Sequence, residues 1–255
     1  MSQQPQPAWI FLRGLMRDRR HWGGFPQDFT QQLPDAQVIT LDLPGNGALN
    51  HLPSPARVEA MAEWCRAELR GRGLPPPYRV LANSLGAMVT VAWAAAHPQE
   101  LDRVVLVNTS LRPYSRFWQR MRPAAWPTLL RLALTRPAPR RTETAILDLI
   151  SHHPQRNAVL LDQWSAWREA LPVSRANALR QLIAAARFRA PAAPLRVPTL
   201  LLVGARDRLV DPRCTHRLAQ AWGCEVAEHP AAGHDLPLDD GPWVAAQVQR
   251  WLASA

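Results

Sequence analysis

Short apolar runs recur along the chain at residues 8–12, 36–41, 78–82, 104–107 and 199–203, with a shorter one at 225–227. Their length and their bounding Gly, Pro and Asn residues predict β-strands. Between them, residues 21–33, 54–72, 84–97 and 242–253 are predicted to be helical. Ser54 is the expected N-cap of its helix, Pro75-Pro76-Pro77 breaks the chain before the third strand, and Pro98 stops the helix that follows it. The strands are apolar throughout rather than alternating, which predicts a mostly parallel sheet covered by helices on both faces, an α/β fold. Residues 111–194 interrupt this rhythm. They hold no clear strand, many prolines and helical segments at 123–135, 142–151, 157–170 and 174–188. The expected organisation is an α/β core from 1–110 and 195–255, with a helical cap at 111–194 lying over the sheet.

Composition narrows the class. The chain has 255 residues, 47% of them hydrophobic, enough for a sizeable core. No apolar run reaches the roughly 20 residues that span a bilayer. The start of the chain, Met1 to Pro7, is polar and lacks the order of a secretory signal. A cytoplasmic protein without membrane attachment is expected. Cys65, Cys214 and Cys224 are odd in number and lack metal-ligand spacing, so reduced structural thiols and no metal are expected. The formal charge is +10, and all 30 basic residues are arginine. No nucleic-acid motif accompanies that charge, and two tyrosines with five phenylalanines offer little base stacking, so no nucleic-acid partner is expected.

Chemistry enters at Ala82-Asn83-Ser84-Leu85-Gly86. A nucleophile elbow between strand and helix holds its central residue in a strained conformation, and side chains two before and two after must be small. Ala82 and Gly86 satisfy that around Ser84. Taken alone, the pentapeptide serves equally well as a helix N-cap. A serine hydroxyl becomes a useful nucleophile only when an imidazole takes its proton and a carboxylate orients the imidazole. His234, in Gly233-His234-Asp235 before the last helix, has the setting for the base; His21 could line the mouth. Asp207 follows the strand at 199–203, so it faces the crevice at the carboxyl ends of the strands. Asp211 is the alternative acid.

On these residues the chain resembles the α/β-hydrolase superfamily, in its small, cap-bearing carboxylesterase branch. Ala82 to Gly86 matches the elbow, Asp42 to Gly47 the loop after the second strand, Gly204 to Asp207 the acid loop and Gly233-His234 the base loop, in the order Ser, Asp, His. The resemblance implies a serine hydrolase needing no cofactor. Ser84, Asp207 and His234 would be its triad, and the backbone N–H groups of Leu15 and Leu85 its oxyanion hole. Two departures stand out: Ala82 replaces the usual first glycine of the elbow, and Arg13-Gly14 replaces a usual His-Gly. Arg13 either anchors the oxyanion loop or reaches an anionic substrate.

The resemblance also implies that the insertion shapes the substrate pocket. Arg13, Met16, Trp22, Trp118 and Trp126 are the pocket candidates. Arg112, Arg116 and Arg120 recur at four-residue spacing, one face if their segment is helical, and Arg122, Arg131, Arg136, Arg140 and Arg141 follow, with no Asp or Glu between residues 111 and 141. Such a stretch is either a solvated basic face or a dock for an acidic molecule. Capped esterases of this superfamily include a type whose cap receives an acidic carrier protein. The expected substrate is therefore a small carboxylic ester, with a carrier-linked methyl ester as a specific case. The same triad also cleaves C–C bonds, thioesters, lactones and amides. A hydrolase-fold binding protein without chemistry is the alternative of another class.

Overall fold

The computed structural model describes residues 7–135, 137–152 and 154–254; residues 1–6, Arg136, His153 and Ala255 lie outside them. Six strands form one parallel sheet: β1 (Trp9–Leu12), β2 (Val38–Leu41), β3 (Tyr78–Asn83), β4 (Leu101–Val107), β5 (Thr199–Gly204) and β6 (Glu225–His229). Their order is β2-β1-β3-β4-β5-β6. Successive residues of each strand feed opposite faces. Ile10, Leu12, Val80, Ala82, Val104 and Leu106 pack on one side, with α2 (Val58–Gly71) and α3 (Leu85–Ala96). Trp9, Phe11, Leu81, Val105, Val107 and Leu202 pack on the other, with α1 (Phe25–Gln32) and α10 (Leu236–Ala253). This two-sided burial is why the strands read as unbroken apolar runs. Helix α3 is buried nearly all round, so it shows almost no amphipathic stripe.

Four local expectations are corrected. The helix expected at 21–33 is divided: a 3-10 turn at Arg19–Trp22 ends at Gly23, whose φ of +54° glycine tolerates, and α1 starts at Phe25. Ser54 does not cap α2, which begins at Val58; its hydroxyl donates to the Pro44 carbonyl and its N–H to Asn177 Oδ1. The last helix begins six residues early, at Leu236, and kinks at Asp240 just before Pro242. Arg112, Arg116 and Arg120 do not share a helical face, because only Phe117–Arg120 of that stretch, α4, is helical. Cys65, Cys214 and Cys224 are free thiols, and burial pushes them up to about 12, 11 and 11, away from thiolate chemistry.

Between β4 and β5 the described chain is helical: α4, then α5 (Trp126–Thr135), α6 (Pro139–Ile150), α7 (Pro154–Ala170) and α8 (Arg175–Arg187). Core and insertion are joined by buried polar contacts. Glu143 of α6 accepts from Arg17, which follows β1, and from Arg168 of α7. Gln181 of α8 accepts from the Met16 N–H and donates to Asn46 and Ser54. A buried charge costs several kcal/mol unless paired, so these contacts fix where the helices can sit. Helix α9 (Arg213–Trp222) lies between β5 and β6. Among the described residues no helix is long and apolar enough to cross a membrane.

Candidate active site

Ser84 stands alone between the last residue of β3 and the first of α3, at φ 53° and ψ −111°. A non-glycine residue there carries strain of order 1–3 kcal/mol. The tight turn presses α3 against the end of β1. A Cβ on Gly86 would lie 2.5 Å from the Leu12 carbonyl oxygen and 2.7 Å from that of Arg13. Gly86→Ala is therefore expected to destabilise the fold by about 1–3 kcal/mol, read as a lower denaturation midpoint in urea. Ala82, the small residue two before the serine, is fully buried.

The loop after β1 passes beside the serine. A Cβ on Gly14 would sit 3.1 Å from Ser84 Cβ. Met16 has φ 54° and gives its N–H to Gln181 at 2.9 Å, while Arg17 gives its own to the Gly14 carbonyl. Among the described residues the N–H groups of Leu15 and Leu85 have no acceptor, and both residues line the cavity that Ser84 faces. Two unengaged N–H groups flanking a serine, one at a helix N-terminus, are suited to a developing oxyanion.

His234 and Asp207 come together from the ends of different strands. The His234 Nδ1–H donates to Asp207 Oδ2 at 2.6 Å, and Asp207 Oδ1 accepts from the N–H groups of Leu209 and Val210. Both side chains are buried, His234 to 5% and Asp207 to 1% exposure. Burial favours the neutral imidazole, but the Asp207 charge and hydrogen bond outweigh it and raise the His234 pKa above its ordinary value. With its Nδ1 proton held by the carboxylate, His234 carries its lone pair on Nε2. Among the described residues Ser84 Oγ makes no hydrogen bond, to His234 or to any other group. Such bonds commonly close only once substrate is bound. The alternative acid, Asp211, is occupied elsewhere, in an ion pair with Arg213 at 2.7 Å.

Two further groups hold this arrangement, and sequence reasoning missed both. Asn108 ends β4 with φ 47° and is buried. Its Oδ1 accepts from the Gly204 N–H, and its Nδ2 donates to the carbonyls of Gly233 at 3.0 Å and His234 at 2.7 Å. One side chain thus ties the acid loop to the base loop. Its only sequence signal is an asparagine closing an apolar strand. Asn108→Ala leaves three buried backbone groups unpaired, and a loss of at least 1–3 kcal/mol is expected in the same urea assay. The second group is Asp235, which pairs with Arg13 in a two-pronged contact, 3.0 Å on one arm. Burial would raise the Asp235 pKa, yet the Arg13 charge overrides it and holds the carboxyl below the usual range.

The cavity in front of Ser84 has a volume of about 1000 Å³. Of the residues nominated for it, Trp126 lines it and four others do not. Arg13 is turned away, buried against Asp235 and over the Trp22 ring, so it anchors the loop. Trp22 packs on Phe11 and Phe25 inside the core. Met16 serves the site through its backbone N–H. Trp118 rests against Phe117 and beneath the Arg116 guanidinium. His21 is buried against the Trp164 and Trp167 rings, and burial pushes it down to about 4.

Comparison with known proteins agrees with this fold. The family model for the alpha/beta hydrolase fold matches residues 7–241. The chain is 28% identical over 244 residues to a pimeloyl-[acyl-carrier protein] methyl ester esterase of Chromobacterium violaceum, covering 92% of this chain and 89% of that one. It is 30% identical over 220 residues to a putative carbamate hydrolase RutD of Serratia proteamaculans, covering 79% and 74%. The structure of a thermophilic esterase from Thermogutta terrifontis superposes with a TM-score of 0.76 at 21% identity, over 99% of this chain and 91% of that one. With its six-stranded parallel sheet, its serine at the β3–α3 turn and a family match across nearly its whole length, this chain belongs to the α/β-hydrolase fold family.

Proposed function

We propose that the protein hydrolyses carboxylic esters through Ser84, His234 and Asp207. The observation that carries this reading is the Asp207–His234 hydrogen bond, with Nε2 left free; a serine at a strained elbow, facing a cavity, accompanies it in the same chain. His234 Nε2 takes the Ser84 proton as Oγ attacks the ester carbonyl, and the N–H groups of Leu15 and Leu85 receive the oxyanion. The protonated imidazole then gives its proton to the leaving alcohol, and Ser84 carries the acyl group. Water, deprotonated by the same imidazole, releases the acid. The helices at 111–194 act as a cap over this chemistry, and the cytoplasm is the proposed location. A fluorophosphonate probe tests the mechanism. It is expected to label Ser84 and to abolish turnover of short p-nitrophenyl esters. An unlabelled Ser84 in folded protein would support the binding-protein alternative.

A carrier-linked methyl ester is the finer substrate reading. It is supported by the name of the Chromobacterium violaceum relative and by exposed arginines such as Arg116 and Arg131. The test compares a free methyl ester with its carrier-bound form in wild type and Arg116→Glu. Equal efficiency for both forms, indifferent to salt and to the substitution, would remove the carrier.

A further inference from the structure

The stretch expected to present arginines outward turns several of them into the cavity. Arg112, Arg116, Arg120, Arg189 and Arg217 all line it, and no Asp or Glu does. Among the described residues none of the five forms an ion pair with a carboxylate. Three of them are brought to the carboxyl end of α8. A parallel bridge joins Arg112 to Arg189, with the Ala190 N–H donating to the Arg112 carbonyl at 2.7 Å. Arg120 donates to the Ala185 carbonyl at 2.6 Å, and Arg112 reaches that of Ala186.

These carbonyls satisfy only part of what the guanidiniums offer. Arg120 Nε is buried with no partner, and the Arg189 side chain makes no hydrogen bond among the described residues. Burial, and then the Arg112 charge, push the Arg120 pKa down. Like charges along one wall repel, most where Arg120 is partly desolvated, and a bound anion relieves that repulsion. The guanidinium fork suits a two-oxygen group. Met88, Met121, Trp126 and Leu182 also line the cavity with Ser84, giving it an apolar surface in addition to the charged one. A cavity of about 1000 Å³ holds a molecule that fills both.

We propose that Arg112, Arg120 and Arg189 form an anion subsite, so that the substrate is a small ester carrying a second, negatively charged end, a carboxylate or a phosphate, joined to the scissile carbonyl by an apolar chain. This rests on the ester-hydrolase reading of Ser84. It places the recognised charge on the substrate itself.

The test pairs a neutral p-nitrophenyl ester with an isosteric half-ester ending in carboxylate and another ending in phosphate, assayed with the full chain. Wild type is expected to favour one anionic form over the neutral ester in kcat/KM by about 10- to 100-fold. Which form wins identifies the group. Arg189→Gln and Arg120→Gln are expected to remove most of that preference, through KM and not through kcat. Arg189 is exposed and makes no side-chain hydrogen bond, so its variant should fold even if Arg120→Gln does not. Equal rates for neutral and anionic esters in wild type, or a preference untouched by both folded variants, would overturn the subsite. So would discrimination that arises only when the ester is carrier-bound. If wild type cleaves none of the three, the hydrolase reading fails. Calorimetry with the free dicarboxylate and the alkyl phosphate then decides the subsite separately: Arg189-dependent binding supports it and no binding overturns it.

Discussion

Ser84→Ala is expected to lower kcat by about 10⁴-fold or more while leaving the fold intact. The separation of the two effects follows from the serine's surroundings. Its Oγ makes no hydrogen bond among the described residues, so its removal strands no buried partner. The backbone strain at φ 53° belongs to serine and alanine alike. Stability should therefore change by no more than about 0.5 kcal/mol. Residual turnover would come from the N–H groups of Leu15 and Leu85 and from binding alone. Ester turnover and a thermal melt on the same sample check both halves. An active Ser84→Ala enzyme would mean that the nucleophile has been misidentified, and a collapsed melt would mean that the serine has a structural task the geometry does not account for.

Asp207→Asn is expected to cost about 10³- to 10⁴-fold in kcat and to move the pH profile. The asparagine can still accept from Leu209 and Val210, so the acid loop keeps its shape. What changes is the tautomer. An amide N–H facing Nδ1 favours the imidazole protonated on Nε2, which cannot take the serine proton. The sign of the pH effect follows from the balance at His234. In wild type the Asp207 charge outweighs burial and raises the imidazole pKa, so activity climbs with pH through a midpoint above 6.5 as the base becomes neutral. Without that charge burial prevails, and the midpoint of the remaining activity should fall below the wild-type value. Full activity with an unmoved midpoint would separate Asp207 from the imidazole. Asp211→Asn is the control, since its carboxylate pairs with Arg213 and should leave the profile unchanged.

The buried pair of Arg13 with Asp235 gives physical content to a departure visible in the chain. Arginine in place of a small neutral imidazole puts a full charge into the core, and Asp235, next to His234, supplies the opposite charge. The pair ties the loop after β1 to the turn before α10 without reaching the cavity. The sequence leaves Arg13 open between an anchor for its loop and a contact to substrate, and marks Asp235 only as a neighbour of His234. Nothing in their spacing, 222 residues apart, announces a contact.

Local chemistry determined much of this protein without reference to its shape. Apolar runs buried on two faces specified the parallel sheet, and small residues around Ser84 permitted a tight strand-to-helix junction without requiring one. The motifs around Ser84, Asp207 and His234 are visible in the sequence for the same reason: each is defined by neighbours within five residues. Helix starts near glycine and proline were read less well, because tertiary hydrogen bonds, such as those of Ser54, overrode the local cap. The cavity was decided by tertiary structure alone. Whether Arg112 and Arg120 face solvent or ligand depends on where the end of α8 packs, and whether Arg13 lines a pocket depends on a carboxylate 222 residues away. A long, charged side chain carries no mark in sequence of the direction it will take; the partner that desolvates it sets that direction, and only folding brings the partner into reach.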